Sequence, residues 1–403
     1  MIVGSGGREH ALVWRLAQSP AVRTIFASPG NPGTASLGTN LPAPAFVSGH
    51  ADLAAAHNVD LTVVGPEAPL VAGIVDEFRS RGLRIVGPTQ AAARLEGSKI
   101  FAKQFFTRAG IPTARYHHAT SEREALDVIK YFRTPLVIKA DGLAAGKGVV
   151  IAANEHEIHE AIGRLGPHLV IEEFLEGEEV SFIGFCDGTT VIPFAPTQDH
   201  KRIHDGDAGA NTGGMGAYCD NRILTSAQGG EIMDRVMLPA IEQMKKEGTP
   251  YTGFLYAGLM MTREGPKVLE FNVRLGDPEA QVLMHSFEGD LAALLTGDLK
   301  NPAWPNPSAC VVLAAEGYPD QPTTGDTITG VAAAEAEGAT VFHAGTKLAN
   351  GTLTTSGGRV LGVTAGAATL PAALETAYRA TAKIHFRGMQ YRKDIGRKGL
   401  ARW

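Results

Sequence analysis

The sequence predicts a multidomain fold in which an N-terminal parallel α/β domain is followed by α+β domains. The chain has 403 residues, more than one domain usually contains. Its first hundred residues repeat a short apolar strand, a glycine turn and an amphipathic helix, a pattern typical of a parallel sheet with crossover helices. Hydrophobic residues make up 44% of the chain and charged residues 20%, so we expect a core of ordinary size.

Composition and charge exclude several classes of protein. The net charge of −5 gives no basic surplus for a nucleic-acid backbone. No apolar run approaches the roughly 20 residues that span a bilayer, and the glycines that follow Met1–Val3 leave no room for a signal peptide. Cys186, Cys219 and Cys310 are odd in number and far apart, which argues against a disulfide framework. We therefore expect a cytoplasmic protein with neither nucleic-acid nor membrane partners.

Residues 1–97 are predicted to form the first domain. Helical patterns cover Arg8–Gln18 and Pro69–Arg81. Ligands bind at the carboxyl ends of the strands in sheets of this kind, so the glycine turns are the expected binding edge. The predicted strands are Met1–Val3, Thr24–Ala27, Leu61–Val64 and Arg84–Val86.

A second domain is predicted over residues 98–300 and a third over residues 308–403. Ser98 is a good N-cap, and Gly110 with Pro112 ends the helix that it begins. The proline-rich segment Asn301–Pro307 reads as a linker, and the third domain has one Ala-rich helix near Ala372–Lys383. A small strand-rich unit is expected at about 111–175, with strands Pro135–Lys139, Gly148–Ala152 and Leu169–Glu173.

The first glycine cluster, Gly4–Glu9, does not match a dinucleotide-binding turn. That turn needs a small residue where Glu9 stands and an acidic residue about 20 positions later, whereas Ala27–Asn31 contains no acid. The helix N-terminus that follows the glycines can still bind another anion.

The second cluster, Gly142–Gly148, resembles a phosphate-binding P-loop but is one residue short. Gly148 also replaces the Ser or Thr that would hold magnesium. Because the cluster joins two predicted strands, we interpret it as a flexible lid over phosphates. An ordinary mobile hairpin is the alternative.

The segment Lys267–Arg274 is predicted to be a strand with a functional face. Side chains alternate along a strand, so Leu269, Phe271 and Val273 should face the core while the other face carries Glu270, Asn272 and Arg274. A carboxylate and an amide oxygen two residues apart suit magnesium on nucleotide phosphates, and an arginine beside them suits a phosphate or carboxylate. A solvated strand face is the alternative.

An acidic hinge follows the predicted strand Leu169–Glu173. The backbone groups of Glu173 and Leu175 could pair with an adenine edge, and Glu179 could reach ribose hydroxyls. An ordinary acidic surface turn is the alternative.

In this order the segments resemble the ATP-grasp superfamily, and within it the phosphoribosylamine–glycine ligase family, over essentially the whole chain. The stretches that carry the resemblance are Gly6–Leu12, Val64–Leu70, Lys139–Gly148, Gln198–Lys201, Asn211–Tyr218, Asn272–Glu279 and Arg392–Gly396.

The resemblance implies a pre-ATP-grasp N-terminal domain, a two-part ATP-grasp domain and a small mixed C-terminal domain, in a monomeric enzyme. It implies the substrates ATP, glycine and 5-phosphoribosylamine, with Mg²⁺ or Mn²⁺, and glycyl phosphate as the intermediate. Lys99 and Lys139 would hold phosphates under a lid containing Gly146 and Lys147, and Glu270 with Asn272 would hold the metal. The adenosine would contact Glu172, Glu173, Leu175 and Glu179.

The same resemblance places the two other substrates. Asp199 and Arg274 would lie by the glycine, together with the loop residues Asn211, Thr212, Gly213 and Gly214. The turns at the N-terminal domain would receive phosphoribosylamine through Gly6, Gly7, Asn31, Pro66 and Glu67.

Lysines, a metal and an arginine suit the charge that gathers during phosphoryl transfer, and no side-chain nucleophile is required. The alternatives are another carboxylate–amine ligase, a biotin-type carboxylase, and a nucleotide-binding regulatory protein without catalysis. The intact Lys139, Glu270 and Asn272 disfavour the last of these.

Overall fold

Residues 1–97 form a five-stranded parallel sheet with its helices. The computed structural model describes residues 1–144, 148–298, 300 and 302–402. The elements of this first segment are β1 (Ile2–Gly4), α1 (Gly7–Leu16), β2 (Phe26–Pro29), α2 (Pro32–Ala35), β3 (Thr39–Asn40), α3 (Val47–Ala56), β4 (Thr62–Val64), α4 (Glu67–Val71), α5 (Ile74–Ser80), β5 (Ile85–Val86) and α6 (Gln90–Gly97).

The strand order in this sheet is β3-β2-β1-β4-β5, and every pairing is parallel. The predicted parallel α/β domain is therefore confirmed, with the four predicted strands displaced by two residues at most. The single helix predicted over Pro69–Arg81 is wrong. Gly73 adopts a φ of 87° between α4 and α5, a left-handed conformation that ends one helix and redirects the chain into the next.

Residues 98–175 contain three α-helices and a four-stranded antiparallel sheet of order β6-β9-β7-β8. The Ser98 hydroxyl accepts from the Phe101 N–H at 3.1 Å, and Gly110 closes the helix with a φ of 67°, as predicted. The elements are α7 (Lys99–Ala109), β6 (Tyr116–Ala119), α8 (Glu122–Val128), β7 (Leu136–Ala140), β8 (Val149–Ala152), α9 (Glu155–Leu165) and β9 (Leu169–Glu173).

Residues 176–300 supply the long strands of the largest sheet. Its elements are β10 (Glu178–Asp187), β11 (Val191–Pro193), β12 (Thr197–Asp199), β13 (Arg202–His204), β14 (Ala208–Asn211), β15 (Gly216–Cys219), α10 (Ser226–Ile232), α11 (Leu238–Lys246), β16 (Thr252–Thr262), β17 (Gly265–Asn272), α12 (Glu279–Ser286) and α13 (Leu291–Thr296). Between α10 and α11 lies a π-helical turn, Met233–Met237.

The strands after residue 307 continue that same sheet. Its order is β17-β16-β10-β12-β15-β18-β22-β19, so β18 pairs with β15 across the predicted linker. The C-terminal segment therefore shares a sheet with the one before it. Its elements are β18 (Ser308–Ala314), α14 (Val331–Ala336), β19 (Thr340–His343), β20 (Thr346–Ala349), β21 (Thr352–Thr355), β22 (Arg359–Gly366), α15 (Leu370–Thr381) and α16 (Arg397–Leu400).

Strand β17 departs from simple alternation at one residue. Gly258 of β16 pairs with Glu270 while Leu259 pairs with Val268, which leaves Leu269 as the extra residue of a β-bulge. Val268 is fully buried and Leu269 is only half-buried. The prediction that Leu269 faces the core is therefore wrong, because the bulge moves it. The strand also ends at Asn272, two residues earlier than predicted.

The sheet of order β6-β9-β7-β8, called the lid sheet below, has an apolar core separate from that of the main body of the protein. Ile138, Ile158 and Ile171 belong to the core of the antiparallel lid sheet. Phe106 of α7 packs edge-to-face on Phe271 of β17 in the main body, with ring centroids 5.0 Å apart. Helix α7 is thereby fixed against the strand that carries Glu270.

Candidate active site

The Glu270 carboxylate lies among cations without a direct partner. Among the described residues, no hydrogen bond or ion pair involves this carboxylate, although the side chain is half-buried. Burial alone would raise the pKa of Glu270, but Lys201, Lys139 and Lys99 outweigh burial and hold it below its ordinary value. An ionised oxygen donor without a partner is thus available to a metal ion.

Lys139 and Lys99 approach this position from two different elements. Lys139 is the last residue but one of β7 and donates from Nζ to the carbonyl oxygen of Leu269, the bulged residue, at 3.0 Å. Lys99 begins α7 and donates to the Gly142 carbonyl at 2.8 Å. Burial lowers the pKa of Lys99. The structure therefore brings the two predicted phosphate lysines together on the Glu270 side of the sheet.

Glu172 is buried and paired with two lysines. Its side chain is 2% exposed, and Oε1 lies 3.0 Å from Lys139 Nζ and 3.1 Å from Lys103 Nζ. Sequence reasoning missed Lys103, although the spacing of four residues after Lys99 puts both lysines on one face of α7. Burial lowers the pKa of Lys103 to about 8.

In the predicted hinge after β9, one of the two backbone N–H groups considered is already hydrogen-bonded within the protein. The backbone N–H of Glu173 donates to the Arg115 carbonyl oxygen at 3.0 Å, so this N–H is already used within the protein. The Glu173 carboxylate also accepts a hydrogen bond from the Arg115 backbone N–H, at 2.9 Å. No hydrogen bond among the described residues uses the backbone N–H of Leu175, which lies in the turn between β9 and β10.

Glu179 lies on β10 beside Lys201, whose Nζ is 3.0 Å from the Glu179 Oε2. This neighbouring ammonium holds the pKa of Glu179 below its ordinary value against the effect of burial. Sequence reasoning missed Lys201, which also contributes to the field around Glu270. The signal was present, since Lys201 stands two residues after the predicted Asp199.

A buried polar cluster borders a cleft that is lined by residues of β10, β12, β16 and β17. Ser181 and Tyr256 donate from their hydroxyls to Glu279 Oε1 at 3.1 and 2.8 Å. Burial and the nearby Glu279 carboxylate raise the pKa of Asp199 well above its ordinary value. The residues that line this cleft are Glu179, Val180, Ser181, Asp199, Lys201, Tyr256, Gly258, Leu259 and Leu269.

The predicted glycine loop, Asn211–Gly216, lies against Asp199, which lines this cleft. Gly214 has a φ of 116°, and a Cβ there would lie 2.8 Å from Asp199 Oδ1, so only glycine fits. The Arg359 guanidinium of β22 donates to the Gly213 carbonyl at 2.7 Å and contacts Asp277 at 3.2 Å. Arg359 was missed because it is distant in sequence. The loop's other predicted residues are Asn211, half-buried at the end of β14, and the buried Thr212.

Arg274, which follows β17, contacts helices α4 and α6 of residues 1–97. It donates to Glu67 at 3.1 Å, to Glu96 at 2.7 Å and to the amide oxygen of Asn272 at 3.1 Å. Burial opposes the charge of Arg274, but Glu96 and Glu67 outweigh burial and raise its pKa above the ordinary value. Two of the predicted sites, at Glu67 and at Arg274, are thus one connected cluster.

The predicted turns of the N-terminal domain meet at one edge of the parallel sheet. Asn31 is buried and donates from Nδ2 to the Ser5 carbonyl at 2.9 Å and to the His343 carbonyl at 2.8 Å. A Cβ on Gly4 would lie 2.9 Å from the Pro66 ring. This edge therefore gathers the predicted residues Gly6, Gly7, Asn31, Pro66 and Glu67.

Glu9 occupies the space beside this turn. Its Oε2 accepts from the Gly6 N–H at 2.5 Å, and its Oε1 accepts from Arg8 at 2.6 Å. A Cβ on Gly65 would lie 2.0 Å from the same carboxylate. Glu9 fills the space beside the turn that a third small residue leaves open in a dinucleotide-binding turn.

Asp141, directly after β7, is hydrogen-bonded to the start of α7. Asp141 accepts from the Ser98 hydroxyl at 3.0 Å and from the Ile100 N–H at 3.1 Å. Strands β7 and β8 pair antiparallel up to Lys139 and Val149, as the predicted hairpin requires. The predicted lid residues Gly146 and Lys147 lie outside the described residues.

Comparison with known proteins identifies the family. Three family descriptions match the chain: Phosphoribosylglycinamide synthetase, N domain, over residues 1–96; its ATP-grasp (A) domain over 97–280; and its C domain over 308–398. The chain belongs to this family. Members of the synthetase family include two proteins named phosphoribosylamine–glycine ligase. That of Ralstonia nicotianae is 51% identical, covering 100% of this chain and 99% of the relative. That of Pseudomonas aeruginosa is 50% identical, covering 100% and 98%.

A solved structure of the synthetase family has the same fold. The phosphoribosylamine–glycine ligase of Thermotoga maritima superposes with a TM-score of 0.84 at 36% identity, covering 98% of this chain and 99% of that one. The predicted ATP-grasp architecture is thereby confirmed. No helix in the described part of the chain has the length and apolar character needed to cross a bilayer.

Proposed function

We propose that this protein ligates glycine to 5-phosphoribosylamine at the expense of ATP, as a step of de novo purine biosynthesis. The products are glycinamide ribonucleotide, ADP and phosphate. The observation that carries the proposal is the unpartnered Glu270 carboxylate, which faces Lys99, Lys139 and Lys201 as a nucleotide-phosphate site requires. The names of relatives that are about half identical over the full chain support the choice of substrates.

Glu270 and Asn272 fit a divalent metal ion, Mg²⁺ or Mn²⁺. Among the described residues, no group of three or more His, Cys, Asp or Glu side chains could hold a metal alone. Two oxygens from the protein, completed by phosphate and water, suit Mg²⁺ better than a site built only of side chains. When bound, the metal neutralises charge on the transferring phosphoryl group.

We assign the nucleotide to the space between the lid sheet and β17. Lys99 and Lys139 would hold the phosphates, and we also assign Gly146 and Lys147 to nucleotide binding. The hinge would receive the adenosine through the Leu175 N–H, with Glu179 at the ribose. Glu172 and Glu173 would lie beside the adenine. The Glu172 carboxylate would not bind the adenine itself, since it is already paired with two lysines.

The other two substrates are assigned to the two ends of the Arg274 cluster. Glycine would lie by Asp199, Arg274 and the loop residues Asn211, Thr212, Gly213 and Gly214, where the raised pKa of Asp199 reduces repulsion of a carboxylate. Phosphoribosylamine would lie at the edge formed by Gly6, Gly7, Asn31, Pro66 and Glu67. The contact between Glu67 and Arg274 brings the two sites within reach of each other.

The reaction follows from these positions in two transfers. A carboxylate oxygen of glycine attacks the γ-phosphorus of ATP, and the bond from that phosphorus to ADP breaks, giving glycyl phosphate. The amine of phosphoribosylamine then attacks the acyl carbon, phosphate leaves with the former carboxylate oxygen, and the amine loses a proton. Lys99 and Lys139 stabilise the charge by fixed placement, and closure of the lid keeps water from the acyl phosphate.

We further propose three units at 1–97, 98–300 and 308–403, with a lid at about 111–175. The lid has its own sheet and core, which supports this division. We propose that the protein works as a cytoplasmic monomer on small molecules, without nucleic-acid or membrane partners. The three cysteines are free and buried, as suits a reducing compartment.

Phosphate release tests the proposed substrates. With ATP and Mg²⁺, we expect release only when both glycine and phosphoribosylamine, formed in place from ribose 5-phosphate and ammonia, are present. Alanine in place of glycine is the control. Equal release with another acid or amine would contradict the named substrates while leaving an ATP-dependent ligase, and nucleotide binding without release under any pair would favour a regulatory protein.

A further inference from the structure

Two buried lysines share one carboxylate oxygen beneath the proposed phosphate site. Lys103 Nζ and Lys139 Nζ lie 3.1 and 3.0 Å from Glu172 Oε1, and the three side chains are 3%, 8% and 2% exposed. Two ammonium groups and one carboxylate leave one positive charge uncompensated within this cluster. Uncompensated buried charge is unfavourable, so the cluster is suited to receive an anion.

The surroundings of the two lysines make their roles unequal. Lys103 donates to the Thr113 hydroxyl at 2.6 Å, and Thr113 in turn donates to the Val268 carbonyl at 2.6 Å. Lys103 is thereby held away from the cleft. Lys139 donates to the carbonyl of Leu269, a residue that lines the cleft. Only Lys139 is placed to meet a ligand.

We propose that Lys103 is a positioning residue that strengthens the binding of nucleotide phosphate by sharing the Glu172 carboxylate. With Lys103 present, Glu172 cannot fully neutralise Lys139, and the Lys139 ammonium keeps its attraction for an anion. Without Lys103, Glu172 and Lys139 form a neutral pair. This inference rests on the proposed function, since it takes the ligand of Lys139 to be a nucleotide.

The test compares Lys103→Met with the wild-type enzyme in the binding of ADP with Mg²⁺ by calorimetry, and in steady-state kinetics. We expect the Kd for ADP and the KM for ATP to rise about tenfold while kcat stays within about twofold, because one unit of local charge is removed. Lys130→Met removes an exposed lysine of the lid segment and serves as the matched control, with no change in Kd.

A double variant separates this effect from simple structural damage. In Lys103→Met/Glu172→Gln the carboxylate is removed as well, so the Lys139 ammonium is no longer neutralised and the Kd should return to within about threefold of the wild-type value. Lys103→Gln retains hydrogen-bonding capacity if the Met variant folds poorly, and we expect it to show the same loss. Wild-type ADP binding by Lys103→Gln, or no recovery in the double variant, would overturn the inference.

ADP binding and phosphate release by the wild-type enzyme distinguish a failure of the proposed function from a failure of the inference about Lys103. If wild-type enzyme bound no ADP, the proposed function would fail. If it bound ADP and released phosphate with both substrates, while the Lys103 variants bound ADP equally well, only the role of Lys103 would fail.

Discussion

Replacing Glu270 with Gln is expected to lower kcat by about 10²- to 10³-fold, the size of effect seen when one preorganised charge-stabilising group is lost. The carboxylate has no hydrogen-bond partner among the described residues, so the fold loses little. We therefore expect the Tm to stay within about 3 °C of the wild-type value. Phosphate release at saturating substrates and thermal unfolding are the measurements.

Glu264→Gln is the matched control for Glu270→Gln. Glu264 lies in the turn that leads into β17, with a side chain that is 77% exposed and paired with Lys267. A surface pair contributes about 0–1 kcal/mol, so this variant should leave both kcat and Tm unchanged. A normal rate for Glu270→Gln at saturating Mg²⁺ would contradict the metal assignment.

Replacing Arg274 with Met is expected to affect both stability and catalysis. The change leaves Glu96, whose side chain is 8% exposed, without its 2.7 Å partner. Removing one partner of a buried ion pair destabilises by about 3–5 kcal/mol. Burial already raises the pKa of Glu96, so the deficit should shrink as the pH falls and this carboxylate takes up a proton. Denaturant unfolding at several pH values measures the effect.

The double variant Arg274→Met/Glu96→Gln separates the two effects. Removing the unpaired carboxylate should restore about half of the lost stability, while kcat stays about 10²-fold or more below the wild-type value because the arginine is still missing. Arg263→Met, at an exposed position in the turn between β16 and β17, is the control. Recovery of kcat together with stability would mean that Arg274 is only structural.

Local patterns predicted much of the fold because each pattern is decided by neighbouring residues. The parallel sheet follows from alternating strands and helices, and the Ser98 cap and the Gly110 stop act within one turn of their helix. The bulge at Leu269 could not be predicted, since it depends on the register between β16 and β17. The break at Gly73 was missed because helical periodicity continues across it.

The candidate site was predicted where one strand or loop carries several of its residues. Glu270, Asn272 and Arg274 fall in one short segment, and the structure keeps them together. Lys103 and Arg359 act through partners 69 and more than 80 residues away, so no local pattern reveals those partners. The sequence also cannot show that two lysines surround Glu172, because both lysines lie on other elements.

The most direct test of the account follows the carboxylate oxygen of glycine. With carboxyl-¹⁸O-labelled glycine, ATP and phosphoribosylamine, we expect the product phosphate to carry one ¹⁸O atom, and glycinamide ribonucleotide to form in equal amount. Mass spectrometry of both products is the measurement. Glycinamide ribonucleotide formed with unlabelled phosphate would contradict the glycyl phosphate route, and absence of glycinamide ribonucleotide would contradict the proposed reaction itself.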